Sequence, residues 1–385
     1  MEKKVKVMKI LFLNQIPEVN NKYTFSLVRS LRKQNVDITV CGMEDDDVSS
    51  YQDIPFYGLI ESYSKVKDPF KKVLSYKRSW DKVWDHCKNN KIQILHVQWY
   101  ICSPIDCIYI KKIKKAGIKV VATIHDMLPF NKKFYDFYYH KKIYGYADKI
   151  VNQALMNKDA LINDFNVPEG KIVYIPHGHY MEYAEMASKK ESALALGLPA
   201  DRPMILFFGQ IKKVKGLDIL IKSMRKVVDR YPDILCVIAG KVWKDDFSVY
   251  QDLIERLQLS DNIRADIRFI KDDEIKYYFN AADILALPYR QIYQSGVLFF
   301  GYAYEKPIVA TTEGEFLTVI KDKETGLLVP AGDPDKFAEA LIWYLDHPDK
   351  GKEFAKAGKE DVCERFSWDA IAERLIEIYR SIWID

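Results

Sequence analysis

The stretch Met204-Ile205-Leu206-Phe207-Phe208-Gly209-Gln210-Ile211-Lys212-Lys213-Val214-Lys215-Gly216-Leu217 joins three kinds of sequence without a gap. An unbroken apolar run with no polar alternation reads as a strand covered on both faces, the pattern of a parallel sheet. A glycine ends the run, a short basic loop follows, and a helix opens at about Gly216. From Leu217 to Arg230, the residues Leu217, Leu220, Ile221, Met224, Val227 and Val228 share one helical face. Strand, loop and helix in that order make half of a βαβ unit, because parallel strands need a crossover to connect them.

The same alternation extends in both directions. Strands are expected at Lys9 to Leu13, Asp37 to Val40, Ile94 to Val97, Lys119 to Ile124, Lys149 to Asn152 and Ile172 to Ile175. A second series is expected at Met204 to Phe208, Leu235 to Ala239, Ile267 to Ile270, Ile284 to Leu287, Ile308 to Ala310 and Leu327 to Val329. Between the two series lies a Lys/Glu/Ala-rich segment, read as a linker near residues 180 to 200. The expectation is an α/β protein with two doubly wound Rossmann-like domains, residues 1–185 and 186–365, facing a central cleft. Ligands of such sheets bind at the carboxyl ends of the strands.

Composition agrees with this. A chain of 385 residues is long for one core and suits two. With 48% hydrophobic and 29% charged residues it reads as an ordinary globular protein. The formal charge of +4 is mild and gives no reason to expect nucleic acid as a partner. Six cysteines follow no metal-ligand or redox spacing, which points to reduced thiols and a cytoplasmic setting. The start, Met1-Glu2-Lys3-Lys4 running into an apolar segment, is too short in its apolar part for a signal peptide. No run approaches the ~18 apolar residues of a membrane span.

Three places carry chemistry. The basic loop from Gly209 to Gly216 sits where backbone N–H groups at a helix start and adjacent lysines attract anions, so it suits a nucleotide diphosphate. Lys215 is the first choice for phosphate contact and Lys212 the second; a solvated lysine-rich loop is the plain alternative. The strand ending Pro288-Tyr289-Arg290 is followed by Tyr293-Gln294-Ser295-Gly296-Val297, where Ser295 is a good N-cap and Gly296 allows close approach to the backbone. With Arg290 this gives a second helix start to hold a pyrophosphate from the other side. Third, His125-Asp126 closes the strand Lys119 to Ile124, an active-site position in open α/β sheets; a loop histidine bonded to Asp126 is the alternative. His96 and His177 are read as structural or cleft-lining.

Taken together, these segments resemble the retaining glycosyltransferase family 4, of GT-B architecture, over nearly the whole chain. The match runs through Ile94-Leu95-His96-Val97, Thr123-Ile124-His125-Asp126, Lys171 to Gly178, Gly209 to Gly216, Ala282 to Tyr289, Lys306 to Thr311 and Thr325 to Val329. Residues 366–385, opening Phe366-Ser367-Trp368, resemble the family's last helix, which returns to the first domain. The chain departs from many relatives in carrying Gln210 where they have arginine, and Ile292 and Phe300 where they have two glutamates that contact the donor sugar and ribose. Gln-Ser-Gly-Val at 294–297 resembles one branch of the family.

The resemblance implies a metal-independent hexosyltransferase with no cofactor beyond its UDP- or GDP-linked sugar substrate. His125 and Lys215 would be catalytic. Gly209, Gln210, Lys212, Arg290, Gln294, Ser295, Gly296 and Val297 would bind the donor, and Asn14, Gln15 and Asp126 would lie on the acceptor side. Residues Lys65 to Lys91 interleave Phe70, Val73, Leu74, Trp80, Val83 and Trp84 with lysines, and could lie on an anionic membrane; the Tyr/Lys-rich run Lys132 to Tyr146 could extend the patch. A lipid-linked or glycan acceptor in cell-surface polysaccharide assembly, at the inner face of the membrane, follows from that. The rival reading is a non-catalytic subunit that binds a partner enzyme or glycan.

Overall fold

A computed structural model describes residues 8–62, 66–129, 132–243, 246–292 and 294–383. Tyr293 and Lys65, both named above, lie outside them. The chain divides into two compact units, Met1–Gly178 with Phe366–Asp385, and His179–Arg365.

The first unit contains β1 (Lys9–Leu13), β2 (Asp37–Met43), β3 (Phe56–Ile60), β4 (Ile94–Val97), β5 (Lys119–Ile124), β6 (Lys149–Asn152) and β7 (Ile172–Tyr174). All are parallel, in the order β3-β2-β1-β4-β5-β6-β7. The order reverses between β1 and β4, which makes that the switch point of a doubly wound sheet. Central strands are apolar on both faces because helices cover both: β4 is buried at every position.

The second unit contains β8 (Met204–Phe208), β9 (Leu235–Ala239), β10 (Ile263–Asp266), β11 (Ile284–Leu287), β12 (Ile308–Thr311) and β13 (Leu327–Val329). Its order is β10-β9-β8-β11-β12-β13, again parallel throughout. Here the switch point falls between β8 and β11, paired as Ile205 with Ile284 and Leu206 with Leu285. The helix Leu217–Arg230 buries all six residues assigned to its apolar face, packed against Ile205, Phe207, Cys236 and Ile238. Each such side chain contributes about 1.5–3 kcal/mol on burial.

Two strand expectations need correction. The apolar run Ile267 to Ile270 is not a strand; β10 is the preceding Ile263–Asp266, an edge strand that pairs with β9 from Ile263–Cys236 to Asp266–Ala239. Backbone pairing fixes an edge strand more than side-chain burial does, and Phe269 in the expected run is 59% exposed. The edge strand β3 is absent from the expected series, because Gly58 and three partly exposed or exposed positions beside it break its apolar pattern.

Residues 179–200 are part of the second unit rather than a free linker. Within them, Ser188 and Glu191 form a capping box that starts the helix Lys189–Ala195. The last helix, Trp368–Ile382, belongs to the first unit. Its Tyr379 hydroxyl lies 2.6 Å from His96 Nδ1, Arg374 donates to the Tyr174 carbonyl at 2.6 Å, and Gln34 donates to the Asp369 carbonyl at 3.0 Å. No helix among the described residues is long and apolar enough to cross a membrane.

Candidate active site

In the second unit the loops after β8 and β11 leave adjacent strands at the switch point and are zipped together. The Arg290 amide donates to the Val214 carbonyl at 2.7 Å. Gly216 sits at φ 65°, where a Cβ would stand only 1.9 Å from the Pro288 carbonyl oxygen, so no side chain fits. Gly209, at φ 104°, turns the chain out of β8; a Cβ there would meet Val297 Cγ2 at 3.2 Å and Lys215 Nζ at 3.7 Å. The glycine, the lysine and the first turn of the helix Gly296–Ala303 therefore converge on one spot.

Lys215 donates to the Tyr289 hydroxyl at 3.0 Å and lies 4.6 Å from that ring's centre. Tyr289 is fully buried and its carbonyl accepts from Thr311 Oγ1 at 2.6 Å, so the lysine is aimed by a fixed platform. Lys212 is half-buried and stands 5.3 Å from the centre of the Trp243 ring. Ser295 caps the helix Gly296–Ala303, accepting from the Leu298 amide at 3.4 Å. The helix dipole favours an anion at this end.

In the first unit His125 is 8% exposed and tightly framed. Its Nε2 lies 3.1 Å from Gln98 Oε1, its ring stacks on Trp99 at 4.7 Å between centroids, and Tyr23 meets it edge-on at 5.0 Å. Gln98 also accepts from Asn20 at 2.6 Å and donates to Thr24 at 2.7 Å, which fixes its own orientation.

Residues 188–361 match the family model "Glycosyl transferases group 1", and residues 21–182 match "Glycosyltransferase Family 4". The chain belongs to the GT-B glycosyltransferases of the GT4 type.

Among relatives of this GT4-type chain is the D-inositol 3-phosphate glycosyltransferase of Corynebacterium urealyticum, 27% identical over 252 residues. That match covers 61% of this chain and spans 58% of the relative's length. The GT-B fold is shared with Anabaena HepE, solved in complex with UDP-glucose, at a TM-score of 0.78 and 16% identity over 97% of this chain and all of that one, 100%. A glycosyltransferase of Rickettsia africae gives 0.76 and 19%, covering 98% of this chain and 99% of that one.

Several expected residues take other places in this GT4-type chain. Arg290 is not a free phosphate cation: its guanidinium pairs with both oxygens of Asp218, at 2.6 and 2.7 Å, and reaches the Lys213 carbonyl at 3.3 Å. Burial pushes the Asp218 carboxyl up, but the Arg290 hydrogen bonds and charge outweigh this and hold it below its ordinary value. The open face of Gly296 is taken by the Tyr180 ring, 3.0 Å from where a Cβ would stand. Phe300 packs between Tyr180 and Phe279, at 4.9 and 5.8 Å.

Asn14 and Gln15 follow β1 at the first unit's switch point but are fully buried. Asn14 donates to Asn21 at 3.0 Å, and Gln15 donates to the Trp99 carbonyl at 3.0 Å while accepting from Tyr76. Gln15 holds the loops after β1 and β4 together, and Asn14 ties the end of β1 to the helix Pro17–Lys33. His125 is held by Gln98, and Asp126 beside it is half-buried. His96 is a buried structural residue, bonded to Tyr379 and, at 2.7 Å, to Thr123. Sequence reasoning misses Gln98, Trp99, Tyr23 and Tyr180. Gln98 and Trp99 directly follow β4, so their position at a strand's carboxyl end is the available signal.

Proposed function

We propose that the protein transfers a sugar from a UDP- or GDP-linked donor to an acceptor hydroxyl, with retention at the anomeric carbon. The supporting observation is the convergence of Lys215, Gly209 and the start of the helix Gly296–Ala303 at the second unit's switch point. A cation on a buried tyrosine platform beside a capped helix start suits a diphosphate. In transfer, the C1–oxygen bond to the diphosphate breaks and its electron pair goes to the leaving phosphate. The acceptor oxygen bonds to C1 and passes its proton to the departing phosphate oxygen. Preorganised positive charge at the departing phosphate is the largest catalytic term available here.

Lys215 is assigned that role, with Lys212 beside it and Ser295, Gly296 and Val297 at the helix start. Gln210 and Gln294 are assigned to the donor, without a metal. His125, held by Gln98 and Trp99, is assigned to orient the donor sugar, and Asp126 to the acceptor side. Titration of the purified protein with UDP and with GDP tests this. One of them binds, and Lys215→Ala weakens it by roughly 10- to 100-fold, the worth of a lost charge-assisted hydrogen bond. Binding unaffected by the substitution overturns the assignment. The anomeric configuration of the product tests retention.

A cytoplasmic enzyme of cell-surface polysaccharide or glycoconjugate assembly, peripheral on the inner membrane face with a glycan or lipid-linked acceptor, is the setting this reading favours. Its support is the helix Pro69–Asn89, where Phe70, Val73 and Leu74 stand exposed among Lys71 and Lys72. Apolar packing at Phe300, where relatives carry a donor-binding glutamate, favours the second reading of a non-catalytic subunit that binds a partner enzyme or glycan. Nucleotide binding without turnover of any sugar nucleotide would select it.

A further inference from the structure

Within the second unit, the loop after β12 holds a carboxyl group that the rest of the fold leaves unanswered. Glu315 is 5% exposed, and neither of its carboxyl oxygens has a hydrogen-bond partner among the described residues. The two other acids buried to this degree among the described residues, Asp106 and Asp136, are both hydrogen-bonded. Asp106, fully buried in the first unit, accepts from Tyr76, from Trp80 Nε1 at 2.9 Å and from the Cys102 amide at 3.0 Å. An orphaned buried carboxyl is costly and calls for a reason.

Its place in the fold suggests one. β12 neighbours β11, so the loop Thr312–Glu315 opens at the same sheet edge as the loops carrying Lys215 and Ser295. Gly314, at φ 49°, lies flat against the β11 loop: a Cβ there would stand 2.0 Å from the Ile292 carbonyl oxygen. On the other side of Glu315, the Phe316 ring lies 5.2 Å from that of Tyr289, the platform of Lys215. Glu315 is thus pinned on both flanks to the segment that aims the phosphate-side lysine.

Burial drives the Glu315 carboxyl well above its usual range and so favours its protonated, uncharged form. A neutral carboxyl offers one O–H donor and a carbonyl acceptor, and lacks the charge to hold a metal cation or to repel a phosphate. An alcohol is its natural complement. We infer that Glu315 is a specificity residue for the sugar of the donor, turning its side chain to exchange hydrogen bonds with a sugar hydroxyl. This rests on the nucleotide-sugar reading of the site. It gives the sugar a carboxyl partner in a chain that has Ile292 at one glutamate position of its relatives.

The test compares UDP and GDP with their glucose, galactose, N-acetylglucosamine and mannose conjugates, by calorimetric titration of the wild-type chain, Glu315→Met and Glu315→Gln. In the wild type one conjugate binds more tightly than its parent diphosphate. Glu315→Met removes that gain, roughly 10-fold or more, while the diphosphate alone binds as before. Glu315→Gln, which keeps a donor and an acceptor, preserves most of it. Because Met removes an unsatisfied buried polar group, the variant melts no lower than the wild type. Retention of the full gain by Glu315→Met overturns the inference, as does a wild type for which no conjugate outbinds its diphosphate. Equal losses in the Met and Gln variants also overturn it. If no diphosphate binds the wild type at all, the failure lies in the nucleotide-sugar reading itself.

Discussion

Arg290 carries a fixed positive charge at the end of β11, where a sequence reading sends it to the diphosphate, yet its planar fork is spent on Asp218. That pair ties the first turn of the helix Leu217–Arg230 to the β11 loop, and so sets where Lys215 and Ser295 stand. Its consequence can be separated from direct phosphate binding. If Arg290 positions the loops, Asp218→Ala and Arg290→Ala weaken diphosphate binding by similar factors, roughly 3- to 10-fold, and the double variant is no worse than either. If Arg290 instead turns to the ligand, releasing it with Asp218→Ala leaves binding intact or strengthens it. Titration of the three variants decides. The charge is legible in the sequence; its partner is not, because Asp218 reads only as an acidic residue in a helix's first turn.

At the scale of elements, the central strands are legible because burial on both faces writes an unbroken apolar run, as in β4, β8, β9 and β11. The edge strands β3 and β10 are not, since a glycine or charged residues at partly solvated positions interrupt the run, whereas the edge strands β7 and β13 stay apolar and are legible. Docking of the last helix also depends on chemistry that its amphipathic pattern does not reveal. Burial lowers His96, bonded to Tyr379 of that helix, to about 3. It lowers His177, whose ring is 5.9 Å from Trp368, to about 4, against an opposing hydrogen bond to the Gly178 carbonyl. Both histidines are neutral in the folded unit, so their contribution is present above about 6.5 and is lost as pH falls toward those values. Asp106 acts in the opposite sense: burial raises it to about 7, so its contribution is present below the ordinary carboxylate range and lost as pH rises through 7. Between pH 6.5 and 4 the histidines lowered by burial, His140 and His86 included, outweigh Asp106, so acidification destabilises the first unit. The unfolding midpoint of the first unit should fall by roughly a few degrees or more over that window. Asp106→Asn, which removes the opposing group, should steepen the fall. A flat thermal-denaturation profile would refute the neutral buried histidines.

For the molecule as a whole, the question is what its surface is prepared to meet. The net charge of +4 is too small to hold the chain on a membrane by itself. The helix Pro69–Asn89, however, divides its apolar residues between two tasks. Trp80 and Val83 are buried in the core, and Trp84 is half-buried with Lys112 Nζ 4.5 Å from the centre of its ring. Only Phe70, 71% exposed, with Val73 and Leu74, remains for an outside partner. Phe134, at 96%, with Phe137 and Tyr138, adds exposed aromatic surface beside Lys132 and Lys133. Side chains of this kind gain about 1–3 kcal/mol each on leaving water, and each lysine near an anionic surface adds about 1 kcal/mol. Sedimentation with vesicles of mixed neutral and anionic phospholipid at low salt should therefore bring the protein down. Raising the salt should release much of it, because screening shortens the reach of the lysines to a few ångströms. Phe70→Ser with Val73→Ser and Leu74→Ser should cut binding by roughly 10-fold or more at unchanged thermal stability, since those side chains support no core. Equal sedimentation with purely neutral vesicles, or no loss in the triple variant, would rule out this helix start as the contact, leaving the exposed apolar residues to a protein partner.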